Sequence, residues 1–400
     1  MTNQLITVSE AKAIINRLPL TPQTVLTSLP AAAGSVLAQD LHALIDIPAF
    51  NQSGMDGYAF AFADLDTYNH SLQIVSKIAA GSGERITLQP GQAARVFTGA
   101  PLPEGSDTVV MQENTTINNG QLYITQPTLQ KGDNFRPAGS EIQKGQLALS
   151  KGTVITPGTI GFLAGMGYAQ VPVYAPPKIA LLVTGDELQS PGTPLQYGQV
   201  YEATSVMLEA LLLQMGITVT TTYVPDSLDA TIAALDSALQ QADIILLTGG
   251  VSVGEFDFVV RAAQSCGVQQ LFHRVLQRPG KPLYAGVKLE KTVIGLPGNP
   301  SSVLTCFYQY VWPLLRKLTG HNDQLQQLQA PLAGPHRKPH ALRHFLKGQY
   351  ANGRVTLLPA QESYRMRSFA VANCLVELPE PAATYEENDL VHLYLLPQYG

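Results

Sequence analysis

The segment Leu246-Leu247-Thr248-Gly249-Gly250-Val251-Ser252-Val253-Gly254-Glu255-Phe256-Asp257 joins an apolar run to a loop of three glycines, a serine and two acids. The run Asp243 to Leu247 predicts a buried parallel strand, and Phe258 to Cys266 predicts a helix. Strand, glycine loop and helix start are the parts of an anion site, because permissive residues let backbone N–H groups turn inward. Glu255 and Asp257 at its mouth would repel a bare phosphate, so the pattern calls for a bridging cation or a proton relay.

Two more loops follow runs of the same kind. Thr184-Gly185-Asp186-Glu187-Leu188 comes after Ile179 to Val183, and alone it is equally well a turn with solvated acids. Leu296-Pro297-Gly298-Asn299-Pro300-Ser301-Ser302 ends a third run, and Ser301 or Ser302 is expected to cap the following helix. The stretch Arg274-Val275-Leu276-Gln277-Arg278-Pro279-Gly280-Lys281-Pro282 sets three cations before the strand Leu283 to Val287. It is a surface basic loop or an oxyanion clamp, in which Arg supplies a planar fork and Lys a point charge. His336, His340 and His344 have the spacing of helical metal ligands, but Pro335 and Pro339 break the helix, so a solvated loop is expected. The chain has no Walker loop, no complete G-x-G-x-x-G and no H-E-x-x-H, which argues against a mononucleotide kinase.

These loops need a common edge. Ile179 to Val183, Ile244 to Leu247 and Val293 to Leu296 do not alternate, which suits strands buried on both faces, and helical periodicity follows at Met207 to Met215 and Ser302 to Leu315. The expected fold here is a three-layer α/β domain with a mostly parallel sheet, its ligand beyond the carboxyl ends of the strands. Upstream, Ala11, Ile14, Ile15 and Leu18 predict an amphipathic helix capped by Ser9 and stopped by Pro19. From Asp46 to Lys151, short apolar runs between turn residues predict a β-rich domain. Past Gln324 a polar linker leads to strands around an Asn352-Gly353 turn, then Cys374 to Leu378 and Leu390 to Leu396, a small all-β domain.

At 400 residues the chain exceeds one ordinary core and predicts two to four domains. With 45% hydrophobic and 14% charged residues it can bury a large core, and nothing in the composition points to bulk disorder. A net charge of -5 gives no global attraction for nucleic acid or an acidic membrane, so an anionic ligand must be held by local design. Cys266, Cys306 and Cys374 form no C-x-x-C pair, so neither zinc nor a disulfide framework is indicated. With no signal-peptide pattern and no apolar run of membrane-spanning length, a soluble cytoplasmic protein is expected.

Taken together, the Thr184 to Leu188, Gly249 to Asp257, Arg278 to Pro282 and Leu296 to Pro300 motifs resemble the molybdopterin molybdenumtransferases, the MoeA and gephyrin E-domain family. Asn51-Gln52-Ser53-Gly54-Met55-Asp56-Gly57-Tyr58-Ala59 and Phe97-Thr98-Gly99-Ala100-Pro101-Leu102-Pro103 fit as well, and the likeness spans nearly the whole chain. The resemblance implies a multidomain α/β plus β fold: an elongated linker and dimerisation domain (1–45 and 146–176), a β-rich domain (46–145), a three-layer α/β molybdopterin-binding domain (177–325) and a C-terminal β-barrel (326–400). It also implies a homodimer with its active site between the α/β domain of one subunit and the β-rich domain of the other. A molybdopterin adenylyltransferase is implied as a contact, and neither nucleic acid nor membrane is a partner.

The implied reaction takes adenylylated molybdopterin and molybdate, releases AMP in a Mg²⁺-dependent step and leaves molybdenum on the pterin dithiolene. By position, Asp56, Thr98, Glu187, Asp226 and Asp257 match catalytic positions, with Glu187 and Asp257 as metal ligands. Only Val224-Pro225-Asp226 supports Asp226. Gly249, Gly250, Ser252 and Gly298 match pterin-loop positions, and Arg136, Arg274, Arg278 and Lys281 match positions that bind substrate or oxyanion. Relatives more often carry Lys where Arg274 and Arg278 stand, a change from ammonium to guanidinium that bears on oxyanion preference. Ser363 and Ser368 are expected to serve structure. Adenylylation of molybdopterin and a molybdopterin-binding scaffold without turnover are the alternatives. The flanking domains argue against the first, and the lack of an added interaction linker against the second.

Overall fold

The computed structural model describes residues 5–250, 258–322 and 325–397. The chain forms two compact units, Leu26–Val173 and the remainder, Met1–Val25 with Tyr174–Gly400.

Helix α1 (Val8–Asn16) begins one residue before the expected cap. Thr7 is the N-cap: its hydroxyl accepts from the Glu10 N–H at 3.2 Å, while the Glu10 carboxylate accepts from the Thr7 N–H at 2.8 Å. Ser9 lies inside the first turn because the acid three residues after Thr7 closes this reciprocal box, which Ser9 cannot do. Helix α1 buries Val8, Ala11 and Ile15 in the core of the unit that contains the α/β sheet.

Within the Leu26–Val173 unit, six strands make a mixed sheet: β1 (Gly57–Phe60), β2 (Ser71–Ile78), β3 (Gln92–Val96), β4 (Thr108–Met111), β5 (Thr115–Asn118) and β6 (Gln121–Ile124), in the order β4-β1-β3-β2-β6-β5. Alternation divides β1 between two cores, with Tyr58 and Phe60 on one face and Ala59 on the other. A separate cluster joins Leu29, Leu37 and Leu41 to Ile142, Ile155, Leu163 and Met166, the last two on or just after helix α2 (Pro157–Gly165).

In the other unit, β7 (Ile179–Thr184), α3 (Thr204–Gln214), β8 (Val219–Val224), α4 (Leu228–Gln241), β9 (Ile244–Thr248), α5 (Val259–Ser265), β10 (Gln269–His273), β11 (Gln277–Arg278), β12 (Tyr284–Lys288), β13 (Lys291–Leu296), α6 (Pro300–Cys306) and α7 (Trp312–Leu318) follow in order. The sheet order is β8-β7-β9-β13-β12-β10; the first three pairings are parallel and the last two antiparallel. The apolar runs lack alternation because both faces are covered. Ile179, Leu181 and Val183 enter the core shared with α1, α3, α6 and α7, while Ala180 and Leu182 enter the core shared with α4 and α5. A π-helical turn, Phe307–Val311, separates α6 from α7.

The last strands are β14 (Gln327–Pro331), β15 (Arg343–Ala351), β16 (Arg354–Leu357), β17 (Cys374–Leu378) and β18 (Leu390–Leu395). β15, β17, β18 and β14 pair in succession, β16 pairs with β15, and a bridge from Leu332 to Val355 closes the ring into a barrel. Asn352 (φ 50°) and Gly353 (φ 76°) make the expected hairpin turn between β15 and β16. Of the three histidines only His340 lies in an exposed loop. His336 starts a short strand paired with 383–385 and His344 is buried on β15, since the strand period hides the residues that the prolines keep out of a helix.

Candidate functional site

A cavity of about 760 Å³ opens at the carboxyl edge of the parallel strands. Its wall combines Thr184, Glu187 and Leu188 after β7, Thr248 and Gly249 after β9, Arg278 and Lys281 of the basic stretch, and Gly298, Asn299 and Ser302 from β13 to α6. The three expected loops therefore meet there with two of the three cations, as the rule for open parallel sheets requires. Gly249 has φ +84°, and a Cβ at that position would lie 2.6 Å from the Thr184 carbonyl oxygen. The close approach of the two strand ends thus excludes any side chain.

Arg278 and Lys281 are both exposed to the cavity's solvent, opposite in charge to Glu187. Arg274 does not share that wall. It sits at φ +80°, its N–H bonded to the Leu283 carbonyl at 2.9 Å, outside the cavity lining. Asp226 also lies outside the cavity lining, beside the Asp186-Glu187 loop: the Asp186 N–H donates to its carboxylate at 3.2 Å. Gly250 accepts from the Val259 N–H at 3.2 Å and ties the loop to α5. Ser252, Glu255 and Asp257 lie outside the described residues.

Several wall residues, Glu202, Gln361 and Glu362 among them, were not singled out in the sequence. Glu202, 2% exposed, accepts from the N–H groups of Thr204 and Ser205 at 2.7 and 2.8 Å and closes the start of α3. The acid two residues before Thr204-Ser205 and an apolar run was a readable capping signal. Asn299 donates from Nδ2 to Ser363 Oγ at 3.0 Å, and Gln361, Glu362 and Ser363 complete the wall. Ser363 therefore reaches the cavity, whereas Ser368 is buried with its hydroxyl donating to the Pro359 and Ala360 carbonyls. Ser301 and Ser302 do not cap α6. Asn299 is the N-cap, with Pro300 at the first helical position, and both serines are buried within the first turn.

In the other unit the structure brings Asp56 and Thr98 together. Asp56 Oδ1 accepts both the backbone N–H and the hydroxyl of Thr98, each at 2.8 Å, and these bonds hold the carboxyl below its ordinary range. Arg136 lies on a short strand in register with Gln52, its Nε 3.4 Å from where a Cβ on Gly54 would stand. Arg136 thus lies against Gly54, two residues before Asp56, and the guanidinium whose charge adds to the lowering of the Asp56 carboxyl is that of Arg95.

Among the described residues no group of three His, Cys, Asp or Glu side chains could hold a metal by itself. The three cysteines are buried and unpaired with one another, and burial pushes the thiols of Cys306 and Cys374 up to about 12. Among the described residues no helix is long and apolar enough to cross a membrane.

Residues 6–167 match the MoeA N-terminal region (domain I and II), 180–317 a probable molybdopterin binding domain, and 329–396 the MoeA C-terminal region (domain IV). The chain is 33% identical over 404 residues to a molybdopterin molybdenumtransferase from Haemophilus influenzae, covering 97% of this chain and 98% of that one. It is 32% identical over 373 residues to the Bacillus subtilis protein of the same name, covering 90% and 87%. A solved MoeA protein from Pyrococcus horikoshii is similar in structure with a TM-score of 0.88 at 26% identity, covering 99% of this chain and 100% of that one.

Proposed function

The chain belongs to the MoeA family, and from that premise we propose how its residues divide the work of a molybdopterin molybdenumtransferase. It is an enzyme of molybdenum cofactor biosynthesis. The substrates in this reading are molybdate and adenylylated molybdopterin, and the products are AMP and the metallated pterin.

One observation carries the division of labour: Glu187, Arg278, Lys281, Gly249 and Gly298 line a single cavity at the carboxyl edge of the sheet. Arg278 and Lys281 hold molybdate, a dianion that needs a fork and a point charge at neighbouring positions. Gly249, Gly250, Ser252 and Gly298 cradle the pterin and phosphate against backbone N–H groups. Glu187, with Asp257, orients the attacking water and holds Mg²⁺. An exposed carboxylate on the cavity wall would suit Mg²⁺, which takes one or two protein oxygens and completes its shell from phosphate and water. When bound, the ion supplies charge neutralisation on the phosphoanhydride. Asp226 fixes the Glu187 loop. Asp56 and Thr98 act as a second acid site, and Arg136 and Arg274 add positive charge for the substrate.

The functional form in this reading is a cytoplasmic homodimer that receives its substrate from a molybdopterin adenylyltransferase. Its domains are a linker and dimerisation domain 1–45 and 146–176, a β-rich domain 46–145, an α/β domain 177–325 and a barrel 326–400.

The test is AMP release from adenylylated molybdopterin and Mg²⁺ by the purified protein, with molybdate, tungstate or neither. Release that requires an oxyanion supports the assignment. Pyrophosphate release from molybdopterin and Mg-ATP would instead show adenylylation, and light scattering of the same preparation tests the dimer.

A further inference from the structure

The turn that carries Arg278 and Lys281 is held from behind by a side chain with no part in the proposed chemistry. Gln277 is 0% exposed and precedes Arg278. Its Nε2 donates to the carbonyls of Pro279 at 3.1 Å and Gly280 at 3.2 Å, and its Oε1 accepts the hydroxyl of Tyr310. Two donors and an acceptor on one planar group are what a primary amide offers and what neither a carboxylate nor an aliphatic chain can replace.

Backbone pairing fixes the two ends of this turn and leaves its middle to Gln277. At one end Arg278 is in parallel register with His344 of β15. At the other, the Val275 N–H donates to the Lys281 carbonyl at 2.9 Å. Between them the carbonyls of Pro279 and Gly280 are drawn inward by the amide. Gly280 has φ +86°, and a Cβ there would lie 2.4 Å from Cys306 Sγ and 2.8 Å from Gln277 Nε2, so the turn rests directly on this buried pair. Tyr310, 1% exposed, projects from the π-helical turn between α6 and α7, a local widening of the helix that is common at functional sites. Burial keeps its phenol protonated, so it remains the donor to Gln277.

We propose that Gln277, anchored by Tyr310, is a positioning residue that sets the separation and aim of Arg278 and Lys281 and thereby the affinity of the site for a tetrahedral oxyanion. This rests on the assignment of those two cations to molybdate. A clamp that must meet several oxyanion atoms at once depends on a fixed spacing, and a mobile turn would lose affinity before it lost chemistry.

Two variants of the full chain test it. Tyr310→Phe removes one hydroxyl at constant shape, and Gln277→Met keeps the length of the side chain but removes both donors. Thermal melting first establishes that each is folded, and AMP release from adenylylated molybdopterin and Mg²⁺ is then titrated with molybdate. The expected result is a molybdate KM raised roughly tenfold for Gln277→Met and roughly threefold for Tyr310→Phe, the sizes that loss of buried hydrogen bonds gives. In the same assays kcat at saturating molybdate stays within about twofold of the parent, and the KM for the adenylylated pterin is unmoved. An unchanged molybdate KM in folded Tyr310→Phe overturns the proposal even if Gln277→Met does not fold. So does a fall in kcat with both KM values moving together, because that is what general loosening would do. AMP release by the parent protein that ignores molybdate would overturn the assignment of the cations, and this proposal with it.

Discussion

Asp186 and Asp226 exchange hydrogen bonds: the N–H of Asp186 donates to the Asp226 carboxylate at 3.2 Å, and the N–H of Asp226 donates to the Asp186 carboxylate at 3.1 Å. The two residues follow neighbouring parallel strands whose last paired residues are Thr184 and Val224. Each carboxylate thus ties down the other's loop, and Glu187, the next residue after Asp186, takes its aim from the exchange. Asp226 itself lies outside the cavity lining.

Replacing Asp226 separates acceptor from charge. Asp226→Ala is expected to lower AMP release roughly tenfold by freeing the Glu187 loop, and Asp226→Asn, which keeps one acceptor oxygen, to stay within about threefold of the parent. Steady-state assays of the two variants decide it. Equal losses would mean that the charge of Asp226, rather than its hydrogen bond, is what matters.

Glu187→Gln should leave the fold intact, since the side chain is exposed, and lower Mg²⁺-dependent turnover on the order of a hundredfold. Melting temperature and a Mg²⁺ titration measured together would show this. Retention of full turnover at saturating Mg²⁺ would remove Glu187 from both of its proposed roles.

The Asp56 carboxyl is held low first by the Thr98 backbone N–H and next by the Thr98 hydroxyl. Its ionised form is favoured, so a step that needs the carboxylate persists at neutral pH and is lost as pH falls through the depressed pKa. Thr98→Val removes only the second bond and should move the acid limb of the pH–rate profile to higher pH by less than about one unit. A limb that does not move, or moves to lower pH, would show that Asp56 is not the group that titrates there.

Lys12 on α1 donates to Gln309 Oε1 at 2.7 Å and to the Tyr394 hydroxyl at 3.1 Å, and burial lowers its pKa from 10.5 to about 8. Below pH 8 it is protonated in both folded and unfolded chains, and the fold bears the full cost of burying the charge. Between about 8 and 10.5 the unfolded chain holds the extra proton, so the free energy of unfolding rises with pH. Urea denaturation of the parent against Lys12→Met at neutral and alkaline pH should show that rise, on the order of 1–2 kcal/mol, in the parent alone.

Lys347, 2% exposed, donates to the carbonyls of Ala360 at 2.8 Å and Arg365 at 3.1 Å and to Ser301 Oγ at 3.2 Å, so it pins the segment that carries Glu362 and Ser363 to the start of α6. Lys347→Met takes the ammonium away from the Arg365 carbonyl and Ser301 Oγ, while the Ala360 carbonyl keeps the Ser368 hydroxyl, and should destabilise the protein by about 1–3 kcal/mol, read from urea denaturation. A loss under about 1 kcal/mol would show that the segment is held by other contacts.

Local patterns were legible. The unalternating runs of β7, β9 and β13, the Asn352-Gly353 hairpin and the meeting of the Glu187, Gly249 and Gly298 loops all follow from interactions within a few residues or from the handedness of parallel sheets. Even locally, one acid decided a boundary, since Glu10 made Thr7 the cap of α1 in place of Ser9.

The sequence by itself determined which residue types stand at the carboxyl ends of the strands, because periodicity and loop composition are properties of short stretches. Only the tertiary structure decided that α1 joins the α/β core, that Arg274 lies outside the wall shared by Arg278 and Lys281, that Ser363 reaches the cavity, and that Gln277 meets Tyr310. Each of these depends on which distant surfaces exclude water together, and such packing is a property of the whole folded chain.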